Sequence, residues 1–137
     1  MFLIDSNVLS DLVTGRASDL VRLWANRHMA DAALPTTTIF ELRLGVAQMP
    51  DGRRRDELQS LIERAIMRFG PRIYSFDRAS AEIAGELIGQ MARRGRVLHR
   101  MDAQIAGIAS VYGLTLATRN VKDFEGLGID IVDPWTG

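Results

Sequence analysis

Residues 1–12, MFLIDSNVLSDL, decide how the rest of this chain reads. Four apolar residues run unbroken to Asp5, and Ser6 and Asn7 follow before the apolar pattern resumes with helical spacing. Such a run reads as a strand buried on both faces, the kind found in parallel sheets, not as an amphipathic strand. Asp5 then stands at the strand's carboxyl end, and in open α/β sheets ligands bind just outside that edge. Aspartate and serine are also common N-caps, so Asp5 or Ser6 is equally suited to starting the helix near Asn7.

Outward from this stretch, short apolar runs alternate with helical patterns. Residues 18–32, SDLVRLWANRHMADA, place Leu20, Leu23 and Trp24 at helical spacing behind Ser18 as N-cap. Residues 33–50, ALPTTTIFELRLGVAQMP, read as a brief strand followed by a helix that a threonine caps and Pro50 closes. From Asp51 to Phe69 a long pattern carries Leu58, Leu61, Ile62, Ala65 and Ile66 on one face, and Gly70 and Pro71 end it. RIYSF (72–76) is β-prone, and DRASAEIAGELIGQMARRG (77–95) is a helix capped by Asp77 and stopped at Gly95. Then come a small-residue helix (100–113), the strand LTLAT (114–118), a turn or short helix KDFEGLG (122–128) and a last strand in IDIVDPW (129–135). Strands alternating with helices predict a parallel or mostly parallel sheet with helices on both faces. No repeat or linker divides the chain, so residues 1–137 are expected to form one domain.

Composition restricts the chemistry. With 47% hydrophobic and 25% charged residues the chain has the make-up of an ordinary globular protein. No apolar run approaches the roughly 20 residues of a membrane span, and the start lacks the basic segment of a signal peptide, so a cytoplasmic protein is expected. The absence of cysteine removes disulfides, thiolate metal sites and a cysteine nucleophile, leaving oxygen or imidazole to hold any metal. His28 and His99 are too isolated in sequence to suggest zinc. Formal net charge is zero, so only a local patch could attract nucleic acid.

The acids gain meaning on this scaffold. Glu41 flanks the stripe formed by Ile39, Leu42 and Val46, and Gly45 one turn later leaves room beside it. Asp102 precedes Ile105, Ala106 and Ala109 at i+3, i+4 and i+7, which puts a carboxylate on a core-facing stripe where it is costly without a partner. The start of its helix offers a second reading, an N-cap whose charge meets the positive end of the dipole. Thr118, Asn120 and Asp123 form another polar cluster at a strand's carboxyl end. Each coincidence alone suits a structural role; four at one sheet edge point to a site.

FLIDSNVLSDL, TTTIFELRLGV, RMDAQIAGIASVYGLTLATRNVKDF and the terminal IVDPW, in that order, resemble PIN-domain ribonucleases, specifically the toxins of VapBC and FitAB-type toxin–antitoxin modules. The likeness covers essentially the whole chain. It implies a three-layer α/β/α fold and a metal-dependent endoribonuclease silenced by a small antitoxin. It also implies a homodimer, and small-residue helices such as ASAEIAGELIG suit either a subunit contact or an internal one. Carried over by position, the family's acids fall on Asp5, Glu41 and Asp102, and its fourth position falls on Asn120, with Asp123 close behind. Two departures stand out: Ser6 replaces the usual threonine and keeps its hydroxyl, and Asn120 removes a formal charge where relatives often carry aspartate.

Chemistry agrees with that implication. Phosphodiester hydrolysis without cysteine or a histidine pair suits carboxylates holding Mg²⁺ or Mn²⁺, which lowers the pKa of water and offsets charge on the phosphoryl oxygens. Magnesium takes only one or two carboxylates directly, so Asp5 and Asp102 are expected as ligands, with Glu41, Asn120 or Asp123 acting through water. Clustered carboxylates repel one another, so raised pKa values are expected among them. Ser6, Asn7, Thr118, Arg96 and Arg100 are the candidates for contact with RNA, the last two from RRGRVLHR (93–100), although arginines at a helix end also complement its dipole. Arg53–Arg55 open a polar helix face far along the chain from the acids and are left outside the site, while Trp24 and Trp135 read as packing residues. A haloacid-dehalogenase-type phosphotransferase needs a second acid two residues after the first, where this chain has Asn7. A catalytically silent protein-binding module is the other alternative, and it has no need of like charges converging on one site.

Overall fold

A computed structural model describes residues 1–136, with Gly137, the last residue of the expected domain, outside them. Five strands, β1 (Phe2–Ile4), β2 (Ala32–Pro35), β3 (Ile73–Tyr74), β4 (Thr115–Ala117) and β5 (Ile131–Val132), form one sheet in the order β3-β2-β1-β4-β5. Every pairing is parallel. The α-helices among the described residues are α1 (Ser6–Thr14), α2 (Asp19–His28), α3 (Thr36–Ala47), α4 (Arg53–Phe69), α5 (Arg78–Arg93), α6 (Arg100–Tyr112) and α7 (Val121–Phe124). No helix among the described residues is long and apolar enough to cross a membrane.

The alternation of side chains along the strands divides the core in two. Leu3, Ala33 and Leu116, aligned in register across β1, β2 and β4, pack with Leu87 and Met91 of α5 and Ile105 and Ile108 of α6. Ile4, Leu34 and Ala117 pack on the other side with Val8, Trp24, Leu42, Val46 and Ile62 from α1–α4. The result is the expected three-layer α/β/α arrangement, with a sheet parallel throughout. Because β1 pairs with β2 on one side and β4 on the other, the strand order reverses beside β1, and Asp5 emerges at that switch point.

Local signals are used as read at Ser18, whose hydroxyl accepts from Val21 N–H, and at Asp77, whose carboxylate accepts from Ser80 N–H. Two expectations are corrected. Leu20 and Leu23 are exposed, and α2 buries Val21 and Ala25 beside the expected Trp24. No threonine caps α3: Pro35 holds the cap position, and the three hydroxyls are used across elements. Thr36 accepts from Phe76 N–H, Thr37 bonds Gln104 of α6, and Thr38 donates to the Ile4 carbonyl at 2.9 Å. These bonds fix α3, and Glu41 with it, against the carboxyl end of β1 and the start of α6. Within ASAEIAGELIG, Ser80 and Ala84 face α6 at Gly107, where a Cβ would stand 2.4 Å from the Ser80 carbonyl oxygen. The small residues on that face therefore serve an internal helix crossing.

Candidate active site

Asp5 is buried where β1 turns into α1 and carries two duties. As N-cap of α1 its Oδ1 accepts from Ser6 N–H at 2.7 Å, so the cap reading is correct as far as it goes. Its Oδ2 accepts from the Thr118 hydroxyl at 2.7 Å, and Asn7 Nδ2 approaches the same oxygen at 3.4 Å. Thr118 in turn accepts from Asn120 N–H at 3.1 Å, and the Arg119 N–H points at Asn7 Oδ1. The polar cluster after β4 is thus a frame for Asp5. Thr118 is fully buried within it, so the expectation that it touches substrate is corrected.

Glu41 of α3 and Asp102 of α6 reach the same region from opposite faces of the sheet. Asp102 lies in the first turn of α6, two residues past its start; His99 occupies the cap position and makes no side-chain cap bond. Asp102 is therefore not the N-cap. Burial pushes the Glu41 carboxyl up to about 7, with the charges of Asp5 and Asp102 adding to it and the Ser6 hydroxyl opposing. Asp102 is pushed up to about 6, by burial first and then by Asp5 and Asp123, with His99 opposing. Asp5 is raised as well, by burial above all, although Thr118 and Ser6 pull it down. The mutual repulsion expected of clustered acids is present.

One cavity of about 1170 Å³ is lined by Asp5, Ser6, Asn7, Glu41, Gly45, Asp102 and Asn120. Gly45 opens it as expected, since a Cβ there would meet nothing within 4 Å. Arg96 and Arg100 do not line this cavity. Arg96 instead donates to the backbone carbonyls of Glu125 and Lys122 and ties the α5–α6 connection to the loop after β4. Asp123 is exposed and acts on Asp5 and Asp102 through its charge. Sequence reading missed four further residues: Arg16, Arg53, Arg54 and Arg55 line the same cavity. The available signal was Pro50-Asp51-Gly52, a turn that folds α4 back along α3.

Among the described residues, no three histidine, aspartate or glutamate side chains stand close enough to form a ready-made ion cage. The acids surround a shared space without meeting at one point. Such spacing suits a hard cation that keeps most of its waters and takes one or two carboxylates directly, as Mg²⁺ does. Glu41 Oε1 is buried and has no hydrogen-bond partner, an oxygen that calls for a cation or a donor. The oxygen-only donor set and this orphaned atom fit Mg²⁺ or Mn²⁺.

A parallel sheet covered on both faces, with mutually repelling carboxylates at its switch point, defines a class: α/β/α domains with an acidic centre. The chain belongs to the PIN-domain family, whose model matches residues 2–128. It is 33% identical over 137 residues to the VapC ribonuclease Y4jK of Sinorhizobium fredii, covering 98% of each chain. It is 31% identical to the toxin FitB of Neisseria gonorrhoeae, covering 98% of this chain and 99% of that one. The crystal structure of FitAcB from the same organism superposes with a TM-score of 0.89 at 31% identity, covering 98% and 99% of the two chains.

Proposed function

We propose that this chain is a Mg²⁺- or Mn²⁺-dependent endoribonuclease, the toxin of a toxin–antitoxin pair. One observation carries the reading: Glu41, whose Oε1 is buried and unpartnered, lines one cavity with Asp5 and Asp102, and the charge of Asp5 raises the pKa of both others. A fold does not keep three such carboxylates together for stability. Similar proteins bear the names VapC ribonuclease and toxin FitB, which supports a nuclease and a toxin role.

Asp5 and Asp102 would hold the cation, and Glu41 and Asn120 would act through water beside it. When bound, the cation offsets charge on the phosphoryl oxygens and makes a water molecule more acidic. Glu41, beside the water that the cation would hold, is suited to accepting its proton. Asp5 is held at fixed orientation by Ser6 N–H and the Thr118 hydroxyl, so its oxygens need no reorganisation when RNA arrives. Ser6, Asn7 and Asn120 line the approach to these acids.

The test is cleavage of mixed-sequence RNA by the purified protein in Mg²⁺, Mn²⁺ or chelator. Cleavage should require the metal and fall by on the order of a hundredfold in Glu41→Gln. Undiminished cleavage in chelator would refute the metal-dependent reading, and absence of cleavage in every metal would favour the silent binding module. The proposed partners are RNA, a small antitoxin protein and a second copy of this chain; light scattering of the isolated protein tests the last, and a concentration-independent monomer excludes it.

A further inference from the structure

The acids occupy only part of their cavity. At about 1170 Å³ it exceeds the ~300–1,000 Å³ of typical small-molecule pockets, and part of its wall is built by Arg16 after α1 and by Arg53, Arg54 and Arg55 at the start of α4. No arginine of this wall is ion-paired to Asp5, Glu41 or Asp102: Arg53 pairs with exposed Glu57, Arg55 with Asp51, and Arg16 and Arg54 have no ion-pair partner among the described residues. Arg55 Nε is buried without any hydrogen-bond partner.

The backbone adds to the same wall. Helix α4 is 17 residues long, and Gly52 at its cap position provides no side chain for the first N–H groups. The φ of 154° at Gly52 is one that other residues rarely adopt, so the turn itself is specified. In a chain of zero net charge, attraction for a polyanion must be local. The same cavity therefore holds the three carboxylates together with the guanidinium groups of Arg16 and Arg54, while Asp51 and Glu57 in its lining are taken up by Arg55 and Arg53, a combination that suits a ligand with several phosphates in a row.

We infer that Arg16 and Arg54, with the start of α4, hold backbone phosphates of single-stranded RNA next to the bond positioned at the acids. This rests on the nuclease reading for the identity of the ligand. The arginines act on binding, not on the chemical step, because none of them pairs with Asp5, Glu41 or Asp102.

The experiment compares wild type with Arg16→Gln/Arg54→Gln, with Arg16→Lys/Arg54→Lys, and with the remote exposed pair Arg27→Gln/Arg78→Gln. Affinity for a mixed-sequence single-stranded RNA is measured in chelator as a function of salt, and cleavage is measured separately with metal. The glutamine pair should raise KM about tenfold or more at nearly unchanged kcat. It should also reduce the slope of log affinity against log salt by about 1.4, two phosphate contacts at ~0.7 each. The lysine pair should recover the slope, and the remote pair should leave both quantities as in wild type. An unchanged slope and KM in a folded glutamine pair overturns the inference. If wild type binds RNA with this slope but cuts none in any metal, the wall stands and the nuclease reading fails.

Discussion

The Thr118 hydroxyl donates to Asp5 Oδ2 at 2.7 Å, from the end of β4 to the end of the adjacent β1. This bond joins the two polar clusters at the switch point into one unit and lowers the Asp5 pKa against the effect of burial. Thr118→Val keeps the shape and deletes the donor. It should raise the Asp5 pKa further, cost about 1–2 kcal/mol, and reduce cleavage at least tenfold. Thr118→Ser should restore all three, as read by NMR titration, thermal unfolding and RNA cleavage.

Asp5, Glu41 and Asp102 all ionise less readily in the fold than in the unfolded chain, Glu41 near 7 and Asp102 near 6. Between about pH 4 and pH 7 the native state therefore binds more protons, and these groups make stability fall as pH rises through that window. In chelator the melting temperature should decline from pH 5 to pH 7.5. Glu41→Gln should flatten the decline, and Mg²⁺ or Mn²⁺ should oppose it at the upper end. Asp77, held below the usual range by Tyr112 and Ser80, works in the opposite sense, and its contribution is lost only below about pH 4.

Gly107→Ala should be costly and Gly85→Ala should not. The new methyl at 107 would stand 2.4 Å from the Ser80 carbonyl oxygen, forcing α5 and α6 apart, whereas at 85 it meets nothing within 4 Å. Expected changes are a loss of about 1–3 kcal/mol at 107 and a gain of up to ~1 kcal/mol at 85 from helix propensity. Denaturant unfolding measures both.

Arg96→Gln separates a structural arginine from a substrate-binding one. Because Arg96 is engaged by the Glu125 and Lys122 carbonyls, its loss should lower the melting temperature by a few degrees. KM for RNA should remain that of wild type in steady-state cleavage.

What the sequence made legible was local or periodic. The apolar run before Asp5, the caps at Ser18 and Asp77 and the helical phase of Asp102 depend on neighbours within one turn, so they could be read directly. The threonines of α3 could not, because a hydroxyl that caps and one that bonds Ile4 across the fold look alike in one dimension. Leu20 and Leu23 were misplaced because helix phase was set by apolar residues alone, and tertiary contact chose the face of Val21. Arg53 and Arg54 were set aside for their distance along the chain, which the turn before α4 removes. Arg96 beside Asp102 was the reverse error: close in sequence, it is turned toward another loop.

Asp102→Asn tests the acidic centre most directly. The residue does not cap its helix, so the amide leaves the backbone unaffected while removing one charge from the repelling set. RNA cleavage is measured across a Mg²⁺ and Mn²⁺ titration, alongside thermal unfolding in chelator at pH 7.5. Cleavage should fall on the order of a hundredfold or more, with a melting temperature at least equal to wild type. Wild-type cleavage by a folded Asp102→Asn protein at every metal concentration would contradict the assignment.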